Sequence, residues 1–175
     1  MCCKLLYVQE IAKPANVLCS HCSEGGGCRI YQARPLECRL FYCDYLRNPQ
    51  LSEQWRPSKS GIVVSVTDGG RRIAAMVDPE RADAWRREPF YSTLKRWSRE
   101  AVQRPARTGQ VIVTIGTQSI VILPDRDVDV GTLDNDHLVI TEAKNGPEGV
   151  TFDAYKISRS DPRAVSILGT HRGIR

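Results

Sequence analysis

Short runs of branched apolar residues and one helical stripe pattern the chain from residue 61 onward. Ile62-Val63-Val64-Ser65-Val66 and Arg72-Ile73-Ala74-Ala75-Met76-Val77 have strand character and flank Asp68-Gly69-Gly70, a hairpin signal. Asp78 can accept from free helical N–H groups, and Pro79 suits a first helical turn, so a helix is expected there. Phe90, Leu94, Trp97 and Ala101 recur at i, i+4, i+7 and i+11 and predict a second helix, closed by Arg104-Pro105. Strands resume at 111–115 and 119–123 across Gly116-Thr117-Gln118, and again at 137–141 and 150–155. Hairpin, helices and further hairpins give an α+β class: a small cysteine-rich metal-binding module followed by a mostly antiparallel sheet with two helices.

The first 47 residues show no such period. They hold a Gly25-Gly26-Gly27 run and one expected helix after Arg34-Pro35. Residues 48–60, with Pro49 and Pro57 among polar residues, read as a connector. The expected organisation is a module at 1–47, that connector, an α+β body at 61–157, and a polar, basic, partly disordered tail at 158–175.

Composition adds a compartment and removes some partners. A hydrophobic fraction of 41% and a charged fraction of 26% are those of a soluble globular protein. No apolar stretch approaches the roughly 20 residues that cross a bilayer, so no membrane partner is expected. Met1-Cys2-Cys3-Lys4-Leu5-Leu6 lacks a basic segment before an apolar run, so no signal peptide is expected and the cytoplasm is the expected compartment. The net charge of +5 invites a nucleic-acid reading, but arginines alternate with acids, as in Asp78-Pro79-Glu80-Arg81-Ala82-Asp83. A solvated surface explains that mixture, and nucleic acid is not the expected partner.

Cysteine placement changes the picture most. All seven cysteines, Cys2, Cys3, Cys19, Cys22, Cys28, Cys38 and Cys43, lie in the first 43 residues. An odd count argues against a complete disulfide framework. Soft sulfur donors this dense favour Zn2+ or an iron–sulfur cluster over hard cations. Cys19-Ser20-His21-Cys22 has the C-x-x-C spacing that lets two thiolates reach one metal. The triglycine run lets the chain fold back and bring Cys28 to the same centre, with Cys38 and Cys43 completing it. Cys3 is an expected further ligand, brought back through Leu18. Cys2 is the expected free thiol, because adjacent side chains do not easily share an ion. On one regular helix, Cys38 and Cys43 would stand about 7.5 Å apart along the axis. Zinc-bound sulfurs are only roughly 3.8 Å apart, so one zinc takes both only if the helix ends between them. Arg34 and Arg39 are the cations expected to offset thiolate charge, and His21 is expected beside the ligands rather than among them.

The run from Gly27-Cys28-Arg29-Ile30-Tyr31 through Arg34-Pro35-Leu36-Glu37-Cys38-Arg39-Leu40-Phe41-Tyr42-Cys43 resembles the signature of the YkgJ-type cysteine-cluster family. That family is described as zinc- or iron-chelating, and its biochemical role is largely undefined. Cys2-Cys3-Lys4 resembles the end of its preceding paired-cysteine element, and the likeness covers about residues 2–47. Family members carry one or two more cysteines just before that pair. Either the chain extends upstream of Met1 or those ligands are dispensable. The resemblance implies a metal-binding protein; the first reading of this chain is that the metal is structural and that the body or tail meets an unknown protein partner. A related cluster in flagellin lysine N-methylase implies, by analogy, a metal-dependent transferase as the alternative. A nucleic-acid-binding zinc module is the second alternative.

Other motifs rank lower. Asp125-Arg126-Asp127-Val128-Asp129-Val130-Gly131 with Asp136 alternates carboxylates like a calcium loop. It has Val130 where the loop needs glycine and Asp136 where it needs glutamate, so it reads as a solvated acidic turn. There is no phosphate-binding or dinucleotide-binding glycine motif, and Ser20-His21 is not a nucleophile–base pair. No catalytic residue is assigned. His137 and His171 read as structural or exposed, and Trp85, Phe90, Tyr91 and Trp97 as core.

Overall fold

In the computed structural model, which describes residues 1–24, 26–103, 109–147 and 149–164, the apolar runs pair in chain order. Strands β1 (Ile62–Thr67), β2 (Arg72–Val77), β3 (Gln110–Ile115), β4 (Gln118–Ile122) and β5 (Asp127–Thr132) form one sheet in that sequence. Three of its four pairings are antiparallel, and β2–β3 is parallel. Parallel neighbours need a long crossover, which helix α5 (Phe90–Gln103) supplies. Strands β6 (His137–Gly146) and β7 (Gly149–Ser158) form a separate antiparallel ribbon. The class is α+β, as its sequence pattern implies.

Alternation along the strands gives the sheet two working faces. Ile62, Val64, Ala75, Val77, Val111, Val113, Ile120 and Ile122 pack on one face against Phe90 and Leu94 of α5, with Trp55 and Trp85. Opposite, Ile112, Val121, Leu123 and Val130 meet Val139 and Ala154 of the ribbon. Val63, on that same opposite face of β1, packs instead against Leu5 and Cys43. The cysteine region therefore shares the sheet with the ribbon and lies directly on the body.

Four expectations change. The helix expected after Asp78 is two 3-10 turns, Pro79–Arg81 and Ala84–Arg86. Asp78 does cap, accepting from Glu80 N at 3.2 Å, but Trp85 is pulled fully into the core and ends any regular helix there. The acidic stretch at 125–131 is no solvated turn. Val128 and Val130 alternate on the apolar face, so 127–132 pairs with β4 as the sheet's edge strand. Its carboxylates serve different partners, Asp125 taking Phe152 N and Asp129 taking Gly131 N. The connector at 48–60 is built into the core: Trp55 is 3% exposed and meets Phe90 edge-on at a centroid distance of 4.8 Å. Helix α4 (Pro57–Ser60) then turns into β1 through Gly61, whose φ of +74° and close contact with Arg81 exclude a side chain. Finally, β2–α5–β3 is a crossover unit that the strand spacing left unread, and it lies apart from the C-x-x-C pair.

The expected helix end at Arg104-Pro105, most of the tail and His171 lie outside the described residues.

Candidate metal centre

Backbone hydrogen bonds gather the cysteines before any side chain is considered. Helix α1 (Cys2–Leu5) carries the adjacent pair. Cys19 N donates to the Cys3 carbonyl at 2.9 Å and ties the C-x-x-C segment to α1. Cys22 N donates to the Cys19 carbonyl at 2.9 Å, closing the tight turn that the two-residue spacing implies. Cys22 and Cys28 then pair as an isolated antiparallel bridge. Gly26 and Gly27 make the return with φ of +79° and +114°, values that side-chain-bearing residues rarely adopt. The Arg29 guanidinium reaches back to the Ser20 carbonyl and braces the turn.

Cys38 arrives on helix α2 (Leu36–Leu40). Glu10 positions that helix, accepting from Leu36 N at 3.0 Å while its own N–H meets the Glu37 carboxylate at 3.4 Å. Since α2 ends at Leu40, Cys38 and Cys43 do not share a helix, and the spacing objection to one ion does not arise. Cys43 precedes helix α3 (Asp44–Arg47) and is buried against Leu5 and Val63. Cys2 is exposed, and Cys3, Cys19, Cys22, Cys28 and Cys38 are partly exposed.

The thiols act on one another. Cys2 and Cys3 hydrogen-bond, which lowers Cys2 to about 6 and raises Cys3, whose thiol also feels burial and the charges of Cys2 and Cys22. Burial first, and then the charges of Cys19, Cys2 and Cys28, push the Cys38 thiol up. Cys2, Cys3, Cys19, Cys22, Cys28 and Cys38 thus lie in one another's fields, although four separate stretches of chain supply them.

Sequence reasoning missed the cation at this site. Lys13 is 6% exposed, and its ammonium donates to the Lys4 carbonyl at 2.7 Å and to the Leu6 carbonyl. Burial lowers its pKa, and the nearby Cys19, Cys3, Cys2 and Cys38 act in the opposite direction. Arg39 is exposed, and Arg34 lies over the Tyr31 ring at 3.9 Å. Nothing in the local pattern marks Lys13, because a lysine before Pro14 in a polar loop reads as solvated. Lys4, whose carbonyl is one of Lys13's acceptors, anchors α1 to the body through its ammonium, which meets Asp78 at 2.9 Å and Glu80 at 2.8 Å.

His21 is partly exposed, and its carbonyl takes Arg29 N at 2.9 Å. His137 pairs with Asp134 at 2.6 Å at the start of β6, a structural contact. Among the described residues, no three His, Cys, Asp or Glu side chains form a ready-made ion cage. A second polar locus lies on the body, where a cavity of about 300 Å³ is bordered by Asp83, Arg86, Gln118, Asp127 and Asp129. Behind it, buried Lys95 bonds Asp127 at 2.8 Å and the Leu123 carbonyl at 2.7 Å, and the Tyr91 hydroxyl donates to Asp127 at 3.1 Å. Among the described residues, no helix is long and apolar enough to cross a membrane.

No protein family matches the chain, and no curated protein or solved structure matches it.

Proposed function

We propose that residues 1–47 form a cysteine metal centre, holding Zn2+ or an iron–sulfur cluster, with the metal in a structural role. One observation carries this reading: Cys2, Cys3, Cys19 and Cys38 lie near the buried ammonium of Lys13, and backbone hydrogen bonds join Cys19 to Cys3 and Cys22 to Cys19, with Cys28 bridged to Cys22. Burying an ammonium costs several kcal/mol unless negative charge or acceptors surround it. Thiolates would supply that charge, and a soft metal would hold them deprotonated.

The donor set fits such a group in its chemistry. Cys3, Cys19, Cys22, Cys28, Cys38 and Cys43 would hold it, with exposed Cys2 left free. The side chains would still have to close onto it, because the described residues hold no ready-made cage. When bound, the group supplies a cross-link in place of the apolar core that this segment lacks. Its own residues do the rest: Lys13 offsets charge, Glu10 fixes α2, and Lys4 holds α1 to Asp78. Membership of the YkgJ-type family belongs to this proposal and rests on the motif at residues 27–43. A reducing compartment such as the cytoplasm is part of it, since the thiols must stay free.

Elemental analysis of anaerobically purified protein tests the reading. Stoichiometric zinc in colourless protein, or iron with sulfide in brown protein, is the expected result. Protein free of both metals, still folded at residues 1–47, would overturn it.

A further inference from the structure

Cys22 and Cys28 face each other across the antiparallel bridge, and the hydrogen bonds around them define the pairing. Ser23 N donates to the Gly27 carbonyl at 3.2 Å and Arg29 N to the His21 carbonyl at 2.9 Å. These bonds flank the cysteine pair and do not join it. Cys22 and Cys28 therefore occupy a non-hydrogen-bonded position, where opposed Cα atoms stand about 4.5 Å apart and side chains come closest. A disulfide needs its Cα atoms about 4.4–6.8 Å apart. Both thiols are partly exposed, so a small oxidant can reach them. The Ser23 hydroxyl, bonded to the Gly26 carbonyl at 3.0 Å, helps fix the return that sets this register. The other neighbouring pairs lack the arrangement. Cys2 and Cys3 are consecutive on a helix, and Cys19 and Cys22 are joined by a turn with no strand partner to align them.

We propose that Cys22 and Cys28 are an oxidation site, forming a reversible disulfide with a peroxide as oxidant and withdrawing two sulfurs from the metal centre. One thiolate attacks a peroxide oxygen, the O–O bond breaks, and a sulfenic acid forms as the departing hydroxide takes up a proton to become water. The second sulfur attacks the sulfenic sulfur, the S–S bond forms, and the displaced hydroxide leaves as the second water. Two thiols lose two electrons and two protons, and one peroxide becomes two waters. The hairpin register already suits the product, so oxidation needs no refolding. A dithiol reductant reverses it. The coupling to metal rests on the function proposed above, whereas the pairing of the two cysteines does not.

The full chain as purified, with its metal content measured, is treated with hydrogen peroxide. Free thiols are then alkylated, and the linked peptides are mapped by fragmentation mass spectrometry. The expected product links Cys22 to Cys28, in the unaltered protein and in Cys19→Ser, and dithiothreitol removes it. Metal release in step with that link supports the coupling. A link between Cys19 and Cys22, or Cys22 and Cys28 remaining fully alkylatable, overturns the site. Formation of the Cys22–Cys28 link in protein that never held metal upholds the site and overturns the metal reading alone. Metal retained in full after the link forms overturns the coupling.

Discussion

Lys13 is the residue whose environment departs furthest from what its neighbours in sequence suggest. Its ammonium is buried between two carbonyls at the end of α1 and beside four cysteines. Substitution of groups that support metal ligands typically costs about 10–100-fold in affinity. Lys13→Met should lose metal to a competing chelator by a factor in that range, whereas Arg39→Glu, on an exposed side chain, should change retention little. Equal retention in the two variants would remove Lys13 from the centre. Tyr91 makes a second test at this scale. Burial, and then its hydrogen bond to Asp127, raise the hydroxyl above its ordinary value. A raised acid binds its proton more tightly when folded, so its contribution is complete below about pH 10 and is lost as pH rises through the folded value. Stability measured by urea unfolding should therefore fall above about pH 10, and less steeply in Tyr91→Phe. An identical slope in the variant would show that the pairing with Asp127 has no such effect. Lys13 was not legible from its sequence neighbourhood, whereas the placing of Tyr91 against the core was, though not its bond to Asp127. The turn that brings Cys19 and Cys22 close was legible, because C-x-x-C spacing is compatible with a tight turn and Cys22 N closes one onto the Cys19 carbonyl.

Elements built on a long period were read correctly, and those built on a conflict were not. Helix α5 follows from Phe90, Leu94 and Ala101, which the fold buries on one side. Strand β5 alternates Asp127, Asp129 and Val128, Val130, a strand pattern that the density of carboxylates concealed. What stabilises its charged side is a partner 32 residues earlier: Lys95, buried in the first half of α5, meets Asp127 at 2.8 Å. Breaking a buried pair from one side typically costs about 3–5 kcal/mol, because the remaining charge stays desolvated. Asp127→Ala should lose stability in that range by denaturant unfolding. The double variant Lys95→Met with Asp127→Leu should regain most of it. If the double variant is as unstable as the single one, the cost lies in the shape of β5 and not in the charge left behind.

The cysteine region and the body meet through one apolar cluster, Leu5, Phe41, Cys43 and Tyr45 about Val63 and Met76, and through the Lys4 ion pairs. Few large apolar residues before Leu36 are buried, too few to offset an ordering cost of about 1–2 kcal/mol per residue. Chelation should therefore loosen residues 1–47 and leave the body intact. Trypsin should then cut after Arg29 and Arg39, while the part of the body joined by the aromatic packing of Trp55, Phe90 and Trp97 stays resistant. Protection of Arg29 and Arg39 after complete metal removal would show that the protein chain alone holds the region.

Sequence by itself determined the class of the body, all of its strands but β5, the stripe of α5 and the concentration of soft donors at one end. Each of these depends on local spacing, and local spacing fixes side-chain direction along a strand or helix whatever surrounds it. Tertiary structure alone decided that Trp55 belongs to the core, that 127–132 is a strand, that β2 and β3 lie parallel, and that Lys13 stands among the thiols. Those outcomes turn on which distant surface needs covering and which buried charge needs a partner. Both are properties of contacts between remote residues, which no window of the chain contains.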